Sequence, residues 1–168
     1  MEEDLGQALI DYEAAYLASL PAAERLAMAE SEDHLNASVH SRDSLRSFFG
    51  RQGRSLYVAS NLPVFYPEEE GFAPDLLAVS DVPIRLRDSY QVLREGKGLD
   101  LVIEILVRGD RKKDLVTNVT RYARLGIREY FVADLKKRMV HAFRLDPATN
   151  RYTPLLGDLG RYRSEVLG

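Results

Sequence analysis

Two acidic residues constrain this chain more than any other feature, because each interrupts a run that otherwise reads as a buried β-strand. Asp75 lies in Ala73-Pro74-Asp75-Leu76-Leu77-Ala78-Val79, and Glu104 lies in Leu101-Val102-Ile103-Glu104-Ile105-Leu106-Val107. Short runs rich in Val, Ile and Leu mark a sheet covered on both faces. A lone carboxylate in such a place is costly unless it is paired or binds a metal. Two of them in one expected sheet suggest a shared reason.

The elements around these runs define the fold class. Leu5, Leu9, Tyr12, Tyr16 and Leu20 recur at helical spacing, and Pro21 opens a second short helix. Nine acidic residues and one Arg precede Leu35, so this segment (residues 1–32) reads as an acidic helical extension. A cap, a partner-binding element and a guard against stray nucleic acid all fit it. A helix is expected over 34–50, ended by Gly50 and Gly53. Strands are expected at 56–59, 62–66, 72–80 and 100–107, with a helix near 89–94 in the connection. The next helix runs over 111–125, with Leu115, Val119 and Tyr122 as its stripe. Strands over 128–133 and 139–145 form a hairpin, and a short strand follows Arg151. The order gives one α/β domain over 1–168, with its core at 33–145: a mixed sheet flanked by helices. The passage from Glu104 to Phe131 predicts a parallel strand pair joined by a helix.

Composition narrows the class. At 168 residues with 45% hydrophobic and 29% charged residues, the chain matches an ordinary globular protein. No apolar run reaches the roughly 20 residues that span a bilayer. The acidic start does not read as a targeting peptide, and there is no Cys for disulfides or thiolate metal sites. A cytoplasmic protein without a membrane partner is expected. The net charge of -3 conceals an asymmetry: Arg85–Arg138 carries 14 basic and 8 acidic residues. A local basic surface can hold a polyanion without a basic pI; solvated helix faces explain the same count.

Two carboxylates, a main-chain carbonyl and waters suit a hard cation such as magnesium or manganese. Such an ion polarises a phosphodiester and acidifies a bound water. The simpler alternatives are that Asp75 is a turn acid after Pro74 and that Glu104 pairs with a nearby Arg. No phosphate loop, nucleophile elbow or dinucleotide fingerprint competes.

Four segments carry a family resemblance. They are Tyr57-Val58-Ala59-Ser60-Asn61-Leu62-Pro63-Val64-Phe65-Tyr66, Ala73-Pro74-Asp75, Asp100-Leu101-Val102-Ile103-Glu104-Ile105, and Tyr122-Ala123-Arg124-Leu125-Gly126-Ile127-Arg128-Glu129-Tyr130-Phe131. In this order and spacing they resemble the PD-(D/E)XK nuclease superfamily, and more closely its Uma-type restriction-endonuclease branch. The resemblance implies a restriction-endonuclease-like fold and a divalent-metal-dependent DNA endonuclease core. It implies Asp75 and Glu104 as catalytic metal ligands, with the carbonyl of Ile105 as a third ligand and Mg2+ or Mn2+ as the ion. DNA is then the expected partner, and a homodimer would account for cutting both strands.

The chain departs from the pattern at the lysine. The position two residues after the glutamate is Leu106. The Uma-type branch instead places a lysine four residues before the tyrosine matching Tyr122, and that position is Asn118. The branch's small hydroxyl residue three after the glutamate is Val107 here. Asparagine can orient a water but has neither a positive charge nor a titratable proton. At about 100° per residue, Asn118 borders the stripe of its helix. It is either a functional replacement, and so a third catalytic candidate, or an ordinary residue on a decayed site. Arg108, Arg111, Lys112 and Lys113, just after the Glu104 strand, are the candidate nucleic-acid-binding residues. Asp114 matches an acid of the family, His34 its early-helix histidine, and Glu30 and Glu32 are candidates for an extra helix acid. The alternative function is a catalytically degenerate nuclease fold that binds nucleic acid or protein. A third is an interaction protein that uses the acidic extension.

Overall fold

The computed structural model describes residues 32–107, 111–158 and 160–168. The chain divides into two compact units, Met1–Glu32 and Asp33–Gly168, and the second carries the sheet and both candidate acids. The expected helices before Ser31, and Glu30 and Arg108, lie outside the described residues.

The second unit is a six-stranded mixed sheet with helices against it. Helix α1 (Glu32–Arg51) precedes β1 (Leu56–Ser60), β2 (Val64–Phe65), β3 (Leu76–Ser80) and β4 (Tyr90–Gln91). A one-turn helix α2 (Val92–Glu95), β5 (Leu101–Leu106), helix α3 (Asn118–Arg124) and strands β6 (Glu129–Asp134), β7 (Met139–Asp146) and β8 (Arg151–Pro154) complete it. The sheet order is β1-β3-β5-β6-β7-β8, while β2 and β4 form a separate parallel ribbon. Only β5 and β6 pair in parallel within the large sheet, as the strand-helix-strand passage predicts. Among the described residues, no helix is long and apolar enough to cross a membrane.

Alternation along the strands sorts two cores. Phe49 of α1 packs with Val58, Leu76, Ala78, Leu101 and Ile105 on one face. Tyr57, Leu77, Val79, Val102, Leu106, Tyr130 and Val132 line the other, against Tyr122 of α3. The central strands are apolar on both sides because both faces are covered. Gly126, at φ 74, ends α3: a left-handed residue closes a helix cheaply only without a Cβ.

Four expectations are corrected. The 62–66 strand shrinks to Val64–Phe65 and leaves the main sheet, because Pro63 contributes no N–H to a ladder. The helix near 89–94 becomes β4 followed by a single turn. The 72–80 strand begins only at Leu76, so Asp75 stands just before β3. The helix over 111–125 is not uniformly α-helical: Lys113–Thr117 forms a π-helical turn, with the Asn118 N–H bonded to the Lys113 carbonyl. Such single turns occur frequently at functional sites.

Candidate active site

The site begins where β3 and β5 part. Their antiparallel pairing runs from Ala78↔Leu101 to Leu76↔Ile103 and stops there, while β5 continues to Leu106 along β6. The β3-facing edge of β5 therefore lacks a strand beyond Ile103. The Asp75 side chain takes its place: the Ile105 N–H donates to Asp75 Oδ2 at 2.6 Å. From the α1 side, His34 Nε2 lies 3.0 Å from the same oxygen. An ionised carboxylate only accepts, so the imidazole is the donor there. Asp75 thus joins helix and sheet at the notch, and it is 8% exposed.

Glu104 approaches the notch from the other face of the sheet. The Asp75 N–H donates to Glu104 Oε2 at 3.2 Å, and the Tyr122 hydroxyl donates to Oε1 at 2.7 Å. Tyr122 is fixed by rings on both sides, with Phe72 at 5.5 Å and Tyr130 at 5.0 Å between centroids. Burial, then the charge of Asp75, pushes the Glu104 carboxyl up to about 8, with Asp114 adding to the rise and the Tyr122 hydrogen bond opposing it. Burial and the nearby Glu104 charge push the Tyr122 hydroxyl upward too, so it stays a donor.

Five acids are buried among the described residues: Asp75, Asp100, Glu104, Glu129 and Asp134. Three have a cation. Asp100 faces Lys97, Glu129 faces Arg144, and Asp134 faces Arg111. No Lys or Arg among the described residues pairs with Asp75 or Glu104. Only two of the five acids stand out in the sequence. The other three sit at strand ends, where their burial is not evident from a hydrophobic run.

The donor chemistry at Asp75 and Glu104 fits a hard divalent ion. Two adjacent carboxyls with no Lys or Arg among the described residues beside them favour binding of a cation from outside, and magnesium commonly takes one or two carboxylates and keeps several waters. Main-chain groups of one residue point to the same edge of an extended strand, so the Ile105 carbonyl, like its N–H, faces the notch. Among the described residues, no group of three or more His, Asp or Glu side chains is placed to hold a metal ion by itself. Main-chain oxygen and water would therefore complete the shell.

The remaining predicted residues divide clearly. Asn118 is not at the border of its helix face but inside it, at 3% exposure. Its amide donates to Asp114 Oδ1 at 3.2 Å, and the Tyr130 hydroxyl donates to the Asp114 carbonyl at 2.9 Å. The π turn Lys113–Thr117 lies immediately before Asn118. Asp114, Asn118 and Tyr122 share one inward face, a spacing of four that the sequence displays. Sequence reasoning treated Tyr122 as packing only and missed its bond to Glu104. Arg111 is turned to Asp134 rather than outward. Lys112, Lys113 and Glu32 are exposed, and the Val107 side chain packs with the α1 core.

Known proteins point the same way. The family model Uma2, described as putative restriction endonuclease, matches residues 24–163. The chain belongs to the Uma2 family. A crystal structure of a putative nuclease of the group DUF820, from Anabaena variabilis ATCC 29413, matches with a TM-score of 0.58. That match has 14% sequence identity and covers 75% of this chain and 68% of the other, a likeness of fold. No curated protein matches the chain. The fold likeness agrees with the six-stranded mixed sheet flanked by helices.

Proposed function

We propose that this Uma2 protein is a divalent-metal-dependent DNA endonuclease that hydrolyses phosphodiester bonds. The observation that carries the reading is the meeting of Asp75 and Glu104, buried, adjacent and without a Lys or Arg partner among the described residues. Asp75 and Glu104 would hold Mg2+ or Mn2+ with the Ile105 carbonyl, and the bound ion would supply Lewis-acid polarisation and an acidified water. The chain's own contribution is positional. Tyr122 holds one Glu104 oxygen, the Ile105 N–H and His34 hold one Asp75 oxygen, and the remaining lone pairs are left for the ion. Water oxygen joins phosphorus as one P–O ester bond breaks, and the departing oxygen takes up a proton.

Asn118 favours a second reading. Its amide is engaged with Asp114 and supplies no positive charge where the family pattern has a lysine. Loss of one electrostatic stabiliser costs on the order of 100-fold or more in rate. A degenerate nuclease fold that binds nucleic acid or protein without cutting is the alternative. Supercoiled plasmid incubated with Mg2+ or Mn2+ separates the two. The endonuclease reading expects nicking that Asp75→Ala and Glu104→Ala each abolish. Calorimetric metal binding without nicking supports the binding module. Nicking that survives both substitutions removes these acids from the site.

A further inference from the structure

The basic surface nearest the site includes a segment that the candidate residues after β5 do not cover. The β6–β7 turn reads Leu135-Lys136-Lys137-Arg138, and all four residues are exposed. None of its three cations forms an ion pair with the described residues. Two bonds fix where this tip stands. The Leu135 N–H donates to the Leu106 carbonyl at 3.0 Å, so the tip starts where the Glu104 strand ends. Buried Asp134 accepts the Lys137 N–H at 2.9 Å and pairs with Arg111 at the start of the helix after β5. One acid therefore ties the hairpin tip to the helix start that carries exposed Lys112 and Lys113. The Asp134 carboxylate pairs with the Arg111 side chain and with no side-chain charge of the turn.

We propose that Lys136, Lys137 and Arg138 form, with Lys112 and Lys113, a ridge that holds the phosphate backbone of duplex DNA beside Glu104. This rests on the endonuclease reading for its substrate. The register Glu104↔Val132 and Leu106↔Asp134 puts the tip roughly 10 Å beyond Glu104, at about 3.3 Å per strand residue. Duplex DNA carries a charge about every 1.7 Å of its axis, so a backbone lying over Glu104 presents further phosphates to the tip. The tip is a two-strand hairpin anchored at both ends, with Asp134↔Met139 as its last pair. A rigid turn presents its cations with little ordering cost. The charges are consecutive and carry no geometry for reading bases, so the contact positions the duplex rather than selects a sequence.

The test is fluorescence anisotropy of a labelled 20-base-pair duplex across a salt series, with Ca2+ in place of Mg2+. The proteins are the full chain, K136Q/K137Q/R138Q, and R128Q/R151Q at the opposite end of the sheet. Each lost phosphate contact lowers the slope of log affinity against log salt by about 0.9. The hairpin variant is expected to lose roughly 2–3 units of slope and to bind about 10-fold or more weakly, while melting like the parent. The R128Q/R151Q control is expected to keep the parental slope. An unchanged slope in the hairpin variant, an equal per-charge loss in the control, or no duplex binding by the parent each overturns the proposal. Plasmid nicking is read in parallel. A parent that nicks while the hairpin slope stays unchanged leaves the endonuclease reading standing without the ridge. A hairpin-dependent slope without nicking leaves the ridge standing without the endonuclease.

Discussion

Glu129 and Glu104 sit on neighbouring parallel strands, three registers apart, and both are buried. Glu129 is surrounded by donors. It accepts from the Ser164 hydroxyl, from the Glu165 N–H at 2.8 Å and from the Val166 N–H at 3.4 Å, and it pairs with Arg144 at 3.1 Å. It anchors the C-terminal segment, whose Val166 enters the α1-side core. Glu104 has a hydroxyl, one N–H and another carboxylate for neighbours. The lesson is that burial alone does not distinguish a functional acid. What distinguishes Glu104 is burial without a cation beside it among the described residues, which pushes its carboxyl up and leaves its ionised form to be stabilised from outside the chain.

The largest contrast comes from truncating each acid. Glu104→Ala is expected to reduce plasmid nicking on the order of 100-fold or more while the protein stays folded. Glu129→Ala is expected to cost about 3–5 kcal/mol, because it strands Arg144 and the C-terminal amides. That loss lowers the melting temperature by roughly 10 °C for a chain of this length. Its nicking rate at a temperature where it remains folded should stay near the parent's. If Glu129→Ala loses activity while melting like the parent, or Glu104→Ala melts far below it, the two acids have been assigned to the wrong roles.

Asn118→Lys probes the same imbalance from the other side. It adds the missing cation on the inward face of the helix, next to Asp114 and near Glu104. Nicking should rise about 10-fold or more if the acid pair is otherwise competent. A folded, metal-binding Lys variant with no gain would mean that charge at this position is not what limits the chemistry.

Much of this contrast was legible in the sequence, and the reasons for the exceptions are physical. The apolar runs around Asp75 and Glu104 identify the central strands because both faces of those strands are covered. The parallel β5–β6 pair follows from the intervening helix. The break between β3 and β5 is not legible, since nothing in Ala73-Pro74-Asp75 states that a carboxylate will replace a strand. The π turn is equally hidden: Lys113–Thr117 has ordinary helix composition, and its extra residue is recognised only from backbone bonds. Asn118, just past that turn, is buried rather than at the border. Glu129 was not recognised as buried because its cover comes from residues 164–166, far along the chain.

The smallest effect expected is on stability against pH, and it tests compensation directly. The Glu104 carboxyl stands near 8 in the folded protein, above its ordinary 4.5. Between these values the folded state binds more protons than the unfolded state, so stability falls as pH rises. The stability contributed by the protonated acid is complete below about 4.5 and is lost as pH rises through about 8. Glu104→Gln removes this titration. In EDTA, the melting temperature of the parent should decline relative to the Gln variant from about pH 5 to pH 8, so that the variant melts higher at the alkaline end. Mg2+ binds the ionised acid, so it should restore the parent at pH 8 and leave Glu104→Gln nearly unmoved. Parallel melting curves across this window, with no selective response to Mg2+, would show that Glu104 is compensated as fully as Glu129 and would erase the difference between the two.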